Sequence, residues 1–367
     1  MNDPVAPGVS DELLVARLGE LRRYKNEEVL RIALHDIAGA LSLTSVGEQL
    51  SDLAQVCLAR SLELAEAEAR AKGRLPPERL CIVAMGKLGG RELGYHSDLD
   101  LIFLYRDPPA GEVRGEHARL AQRLMSFLQM PLREGYLYKI DTRLRPSGNQ
   151  GALVTSASGF ARYHGGRGGD APVRSQLWER QALLRARFAA GDASLFEEIR
   201  EKVLVPAVWS PPADPAALAA EIRRMRERIE AELGKEAARG PNPKAGRGGL
   251  IDVEFAAQYL QLAHGHAHPG IRTTCTPVAL ERLRGEGLLH DAHHRALTRG
   301  YEFLRRLDLR LRIVHDYAID HLPQGSAALG QLARRLGYHG EDPGARLTAD
   351  YARVTGDVRR AFEAVVR

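Results

Sequence analysis

Two aspartates one residue apart, Asp98 and Asp100, open a run that is otherwise apolar or aromatic, Asp-Leu-Asp-Leu-Ile-Phe-Leu-Tyr over residues 98–105. Such a run predicts a central strand covered on both faces. Side chains alternate along a strand, so the two acids project from one face, about 7 Å apart along the backbone. Carboxylates aimed at one spot repel each other and are costly to desolvate unless a cation neutralises them. Magnesium is the expected cation, because it takes hard oxygen ligands and bridges carboxylates to nucleotide phosphates.

Immediately upstream, a short apolar run from Leu80 to Met85 is broken by Gly86-Lys87-Leu88-Gly89-Gly90. Glycine allows positive φ and close approach to a ligand, and amides in such a turn can cradle phosphate. The GxxxxGK[ST] pattern of a Walker A loop is absent. The turn gains its meaning from the Asp-x-Asp strand that follows it.

A second chemical stretch runs from Tyr136 to Pro146, YLYKIDTRLRP. Read as a strand, it places Tyr136, Tyr138, Ile140, Thr142 and Leu144 on one face and Lys139, Asp141, Arg143 and Arg145 on the other. One acid among three cations is poor core material. A solvated, salt-bridged face is the bland reading. The functional reading makes Asp141 a third metal-side carboxylate, with Arg143 and Arg145 donating to polyphosphate or orienting the acids. The latter is favoured because a single helix, expected over His117–Gln129, separates this segment from the Asp-x-Asp strand, so the two can lie side by side.

Several elements must hold these groups in place. A helical pattern begins near Glu12, with Leu30, Ala33, Leu34, Ile37 and Leu41 on one face. A second helix is expected from Ser45, with Glu48 completing a capping box, to about Lys72. After the 136–146 strand come a turn and short strand over Ser147–Ser156, a flexible loop at 165–170, and a helix over Leu177–Arg187, where Glu179 and Arg185 could reach a cleft. Past Gly191 the alternating strand pattern ends, which places a domain boundary near residue 195. Asp214-Pro215 reads as an N-cap followed by proline at the first helical position, opening a charged helix to about Arg239. The loop 240–249 leads into a helix carrying Val253, Ala257 and Leu260. Further helices are expected at 277–289, 291–319, 326–337 and 345–365. The longest, with Leu297, Tyr301, Leu304, Leu311 and Ala318 at helical spacing, suits a bundle.

At 367 residues the chain accommodates two ordinary domains. It has no apolar run of membrane-spanning length and no secretory pattern at its start, so a cytoplasmic location and no membrane partner are expected. Three scattered cysteines, Cys57, Cys81 and Cys275, exclude a disulfide framework or cysteine-rich zinc site. The net charge of +5 raises a nucleic-acid partner. Arginine interleaved with acids along helical stretches describes solvated helix faces better, and aromatics at 6% are sparse for base stacking, so no nucleic acid is expected. The histidine cluster His264–His268 lies in an apparent loop without an acid or cysteine to complete a metal site.

Taken together, MGKLGGRELGYHSDLDLIFLY, DTRLRPSGNQGALVTS, WERQALLRARFAAGD and KAGRGGLIDVEF, in this order, resemble the bacterial glutamine synthetase adenylyltransferase and adenylyl-removing enzyme family. The resemblance implies an α+β fold. A polymerase-β-like nucleotidyltransferase mixed sheet with flanking helices would fill residues 11–194, after a flexible terminus at 1–10. An all-α bundle like that of PII uridylyltransferases would fill 195–367. Such enzymes usually carry two modules in tandem, one adding AMP to glutamine synthetase and one removing it by phosphorolysis; a single copy is present here. Gly94-Tyr95, Leu99, Ser147 and Leu153-Val154-Thr155-Ser156 side with the adding module, whereas His96 stands where serine is usual.

The resemblance implies an Mg²⁺-dependent transfer of AMP from ATP to a tyrosine of glutamine synthetase. Asp98, Asp100 and Asp141 would hold two ions, and Lys87, Gly89, Gly90, Ser97, Arg143 and Arg145 would line the nucleotide. Asp141 is the expected protein base if it is not committed to metal. PII signal protein and glutamine are the implied effectors. Phosphorolytic removal of AMP is the alternative, with a regulatory module or a nucleic-acid nucleotidyltransferase more remote.

Overall fold

The computed structural model describes residues 11–108, 115–165, 175–234, 236–315 and 320–367. The terminus expected to be loose at 1–10, nearly all of the loop expected at 165–170, and Ala318 of the longest expected helix lie outside these residues. Contacts divide the chain into two compact units, one running to Leu93 and resuming over Ser97–Val208, the other comprising Gly94–His96 and Trp209–Arg367.

The first unit opens with two long helices, α1 (Asp11–Ile37) and α2 (Leu43–Ala71). Strand β1 (Cys81–Ala84) follows, then a single helical turn, α3 (Gly86–Gly89), and strand β2 (Leu99–Tyr105). Helix α4 (Glu116–Gln129) leads to β3 (Ile140–Asp141) and β4 (Val154–Ser156). Helices α5 (Ala157–His164) and α6 (Leu177–Leu183) precede β5 (Arg187–Gly191), and α7 (Ala193–Ile199) and α8 (Val205–Val208) close the unit.

The five strands form one mixed sheet in the order β3-β2-β1-β5, with β4 also pairing to β2. Strand β1 is antiparallel to both β2 and β5, and β2 runs parallel to β3 and to β4. The central pair is apolar and buried throughout β1 and from Leu101 to Leu104 of β2, as continuous hydrophobic runs require. Leu120, Leu124, Phe127 and Leu128 of α4 are all buried, matching the expected amphipathic face.

Several expectations are corrected. The strand anticipated over 136–146 shrinks to Ile140–Asp141, because the chain after Asp141 curls into turns and alternation of charge cannot reveal a turn without glycine. The helix anticipated over 177–187 ends at Leu183, and Arg187–Gly191 is a strand at the end of the sheet, hydrogen-bonded to β1. Its sequence, RFAAG, has too few β-branched residues to announce itself. The N-cap of α2 is Ser42, whose side chain accepts the Ser45 amide at 3.1 Å, rather than Ser45 itself.

In α1 the apolar stripe of Leu30, Leu34 and Ile37 faces solvent, with exposures of 60%, 58% and 57%. Leu14, Leu18 and Ile32 are buried instead, together with the whole side chain of Arg22. That guanidinium donates to the carbonyls of Leu18, Phe127, Met130 and Gly135, ending α4 with charge-assisted bonds. Periodicity finds a stripe; it does not say which face has a neighbour. The boundary expected near residue 195 falls inside α7, and the first unit continues to Val208 because α7 packs on β1 and β5.

The second unit is wholly helical among the described residues: α9 (Pro215–Ile229), α10 (Glu236–Arg239), α11 (Leu250–His264), α12 (Thr276–Gly285), α13 (Asp291–His315), α14 (Ser326–Arg335) and α15 (Pro343–Val365), with short 3₁₀ and π turns between them. Asp214 caps α9 by accepting from the amides of Ala216 and Ala217, with Pro215 at the first helical position as its sequence predicts. A buried ionic cluster secures the glycine-rich loop before α11. Arg226 of α9 binds Asp252 and the Gly246 carbonyl, while the other Asp252 oxygen accepts the Gly248 amide at 2.8 Å and faces Arg359 of α15 at 3.4 Å. Among the described residues no helix is long and apolar enough to cross a membrane.

Candidate active site

Parallel pairing of β2 with β3 sets Asp100 directly beside Asp141, in register with Leu99 beside Ile140. Neighbouring strands lie about 4.8 Å apart, and side chains at paired positions of parallel strands share a face, so the two carboxylates form one edge of a site. The pairing begins with the Leu99 amide donating to the Lys139 carbonyl at 2.9 Å. Asp98 lies one residue before β2 and is exposed, whereas Asp100 and Asp141 are half-buried.

The glycine turn closes this edge from the β1 side. Gly86 has φ +53°, and a Cβ built on it would come 2.1 Å from Asp100 Oδ2. Both facts demand glycine, so the turn is pressed against the carboxylate with no side chain between. The turn is helical rather than open: the amides of Gly89 and Gly90 donate to the carbonyls of Met85 and Gly86 at 2.9 and 3.1 Å. Gly89 is required by packing, since its Cβ would strike the Arg185 carbonyl oxygen at 1.8 Å. Lys87 sits on this turn, half-buried, and Ser97 in the segment leading to Asp98.

Arg143 and Arg145 part company. Arg143 is 73% exposed and forks onto Asp141, its Nε 2.8 Å and its Nη2 2.5 Å from Oδ2, while its backbone amide donates to Oδ1 at 2.8 Å. Arg145 is buried and folds back into its own loop, donating to the Thr142 carbonyl, the Thr142 hydroxyl and the Gly151 carbonyl. Arg145 therefore shapes the turn, and Arg143 is the cation it presents.

Electrostatics follow from that geometry. Burial acts to raise the pKa of Asp141, but the side-chain and backbone hydrogen bonds of Arg143 outweigh it, and the carboxyl sits below its usual range. Arg143 is held more firmly protonated by its bond to Asp141, with further attraction from Asp100 and Asp98. One guanidinium thus feels all three acids. Among the described residues no three His, Cys, Asp or Glu side chains form a ready-made metal group, and Asp141 is turned onto Arg143. The donor chemistry nevertheless suits Mg²⁺: hard carboxylate oxygens on one face, partly open to water.

Three further side chains have partners that only the fold reveals. Arg187, in the strand misread as helix, donates to the carbonyls of Leu88 and Gly89 at 3.0 and 3.2 Å and clamps the end of the glycine turn. Arg185 forms a buried ion pair with Glu92 at 3.2 Å, and Glu179 accepts from Tyr163. Neither of the last two is a free group in a cleft.

Comparison with known proteins gives two family matches. A model described as glutamate-ammonia ligase adenylyltransferase covers residues 8–202, and one described as PII-uridylyltransferase covers residues 216–366. Among curated proteins, the bifunctional glutamine synthetase adenylyltransferase/adenylyl-removing enzyme of Burkholderia mallei is 42% identical over 299 residues, spanning 80% of this chain and 31% of the relative. That of Aromatoleum aromaticum is 40% identical over 298 residues, 80% of this chain and 30% of the relative. The Neisseria meningitidis serogroup B protein of the same description is 37% identical over 314 residues, 82% and 33% respectively. The chain spans about a third of the length of the curated relatives it matches.

Proposed function

The chain belongs to the glutamate-ammonia ligase adenylyltransferase family, and from that membership we propose that its first unit is a polymerase-β-like nucleotidyltransferase that moves AMP from ATP to a tyrosine of glutamine synthetase. The observation that carries this reading is the register of Asp100 against Asp141, with the Gly86 turn closing on Asp100. An Asp-x-Asp strand end, a third acid on the next strand and a glycine turn beside them are what a triphosphate and its cations need.

Asp98 and Asp100 are the proposed principal ligands of Mg²⁺, with Asp141 completing the set once Arg143 swings to the nucleotide. Bound there, Mg²⁺ would neutralise triphosphate charge and ease ionisation of the attacking phenol, whose ordinary pKa is about 10. Arg143, exposed and next to all three acids, is placed to exchange its carboxylate partner for a phosphate oxygen. Lys87 on the glycine turn, Ser97 in the segment before Asp98, and the turn residues Gly89 and Gly90 are the proposed nucleotide-side residues, and Arg145 fixes the loop that carries Arg143. The tyrosine hydroxyl gives up its proton to water, its oxygen attacks the α-phosphorus, the bond from that phosphorus to the bridging oxygen breaks, and pyrophosphate leaves with its electron pair. Asp141, held below the usual carboxylate range, is a weak base, which suits it to ligation more than to proton removal.

The direction of transfer rests on Gly94-Tyr95, Leu99, Ser147 and the 153–156 segment, which match the adding pattern. Removal of AMP with phosphate as nucleophile is the second reading, because the relatives' descriptions include both activities. The match of residues 216–366 to a PII-uridylyltransferase model supports PII signal protein as a partner of the helical unit; glutamine as an effector is carried by the family resemblance alone. The deciding experiment incubates the chain with glutamine synthetase and labelled ATP, and in parallel with adenylylated synthetase and phosphate. Label on the synthetase supports addition; release of nucleotide only in the second arm replaces it with removal, and inactivity in both sinks the proposal.

A further inference from the structure

The glycine turn that presses on Asp100 is itself held by the residues entering β5. Arg187, the first residue of that strand, is half-buried and spreads four hydrogen bonds from one guanidinium. Its Nε donates to the Gly89 carbonyl at 3.2 Å and its Nη2 to the Leu88 carbonyl at 3.0 Å. Its Nη1 donates to Gln55 Oε1 of α2 at 2.7 Å and to the Phe188 carbonyl at 3.2 Å. One planar fork thus joins turn, strand and helix, a reach that the point charge of a lysine cannot copy.

A single helical turn makes too few internal bonds to hold its own shape. In α3 the amides of Gly89 and Gly90 use the carbonyls of Met85 and Gly86, and the Glu92 amide uses that of Lys87 at 2.8 Å. The carbonyls at its end are the ones that Arg187 takes. The same end is pinned by Arg185, whose carbonyl leaves no room for a Cβ on Gly89 and whose side chain pairs with buried Glu92 at 3.2 Å. Burial first, then the neighbouring Arg91, lower the pKa of Arg187, while Asp52 opposes them. Asp52 also binds Arg91 through contacts of 2.8 and 3.0 Å, which offsets the repulsion between the two arginines.

We propose that Arg187, anchored by Gln55, is a positioning residue for the nucleotide, holding the 86–90 turn in the shape that receives the triphosphate beside Asp100. The inference rests on the nucleotidyl-transfer reading. Asp100 and Asp141 are aligned separately, by the pairing of β2 with β3. Loss of the clamp should therefore weaken nucleotide binding more than it slows the chemical step.

The test uses the full 367-residue chain as Arg187→Met, Arg187→Lys, Gln55→Met and the double variant Arg187→Met with Gln55→Met. Methionine keeps an unbranched stem, and both residues line an open groove between α2 and β5, so water can fill the space of the lost groups. Equilibrium binding of ATP with Mg²⁺, steady-state AMP transfer and thermal unfolding are measured together, the first two at a temperature where every variant is folded. Arg187→Met should weaken ATP binding and raise its KM roughly tenfold, with kcat changed much less, the effect of losing hydrogen bonds from a charged group. Gln55→Met should lose about threefold, and Arg187→Lys should fall between Arg187→Met and the parent. The double variant should match Arg187→Met, because Gln55 acts through Arg187.

Wild-type ATP affinity in Arg187→Met overturns the proposal, as does a lowered unfolding temperature with unchanged affinity. Additive losses in the double variant remove Gln55 from it. If Arg187→Met does not fold, Arg187→Lys and Gln55→Met decide by the same binding measurement. A wild-type chain that binds ATP without transferring AMP defeats the functional reading alone, because the binding comparison still stands; one that binds no ATP defeats both.

Discussion

The α-carbon of Gly86 faces the carboxylate of Asp100 so closely that a single added methyl would lie 2.1 Å from Oδ2. The backbone there also has φ +53°, outside the range that residues with a Cβ readily adopt. Gly86→Ala must therefore displace either the turn or the acid. A shift of about 1 Å in a catalytic group can cost 100-fold in rate. AMP transfer by this variant should fall by roughly that factor, and undiminished turnover would contradict the placement of Asp100 at the reacting centre.

Asp98 and Asp100 lie close enough to solvent that removing their charges should not disturb folding. Asp98→Asn and Asp100→Asn are each expected to abolish Mg²⁺-dependent AMP transfer while thermal unfolding stays close to that of the parent. Near-normal turnover in the double variant would remove the metal assignment.

Arg143 governs the titration of Asp141. Burial pushes the carboxyl up, and the hydrogen bonds of Arg143 more than reverse this. In Arg143→Ala burial acts with less opposition, so the pKa moves upward. An activity that needs ionised Asp141 then declines at a higher pH than in the parent as the solution is acidified. The acid limb of the kcat/KM profile, compared between the two proteins, checks the sign; a limb that stays put or moves downward contradicts it. The matching stability contribution is present above the unfolded-state carboxyl pKa and lost as pH falls through the lowered folded value, and it is small because Arg143 is largely exposed.

Asp252 and Arg226 are both fully buried, and Asp252 also holds the Gly248 amide. Removing Asp252 leaves the buried Arg226 guanidinium with the longer Glu230 contact at 3.6 Å as its remaining ion pair, in the core of the second unit. Asp252→Ala should lose about 3–5 kcal/mol of stability, measured by denaturant unfolding. A loss under about 1 kcal/mol, the range of an exposed pair, would show that the cluster is not the buried network described.

By itself the sequence determined the strand and turn chemistry: an apolar run bounded by Asp98 and Asp100, the glycines at 86–90, and the amphipathic face of α4. Those features rest on local rules, residue type against the period of a strand or helix, and local rules survive folding. Asp214-Pro215 is legible for the same reason, because a cap satisfies amides only two and three residues away. The tertiary structure decided what depends on distant neighbours. It put Asp141 beside Asp100 through a two-residue strand, made Arg187–Gly191 a strand because the free side of β1 was available, and left Leu30, Leu34 and Ile37 of α1 in solvent. It also separated two arginines that sequence treated alike, turning Arg145 into its loop and Arg143 onto Asp141. A guanidinium takes whichever oxygens the fold brings within reach, and those oxygens, in carbonyls as remote as Gly135 from Arg22, are fixed only when the chain has closed.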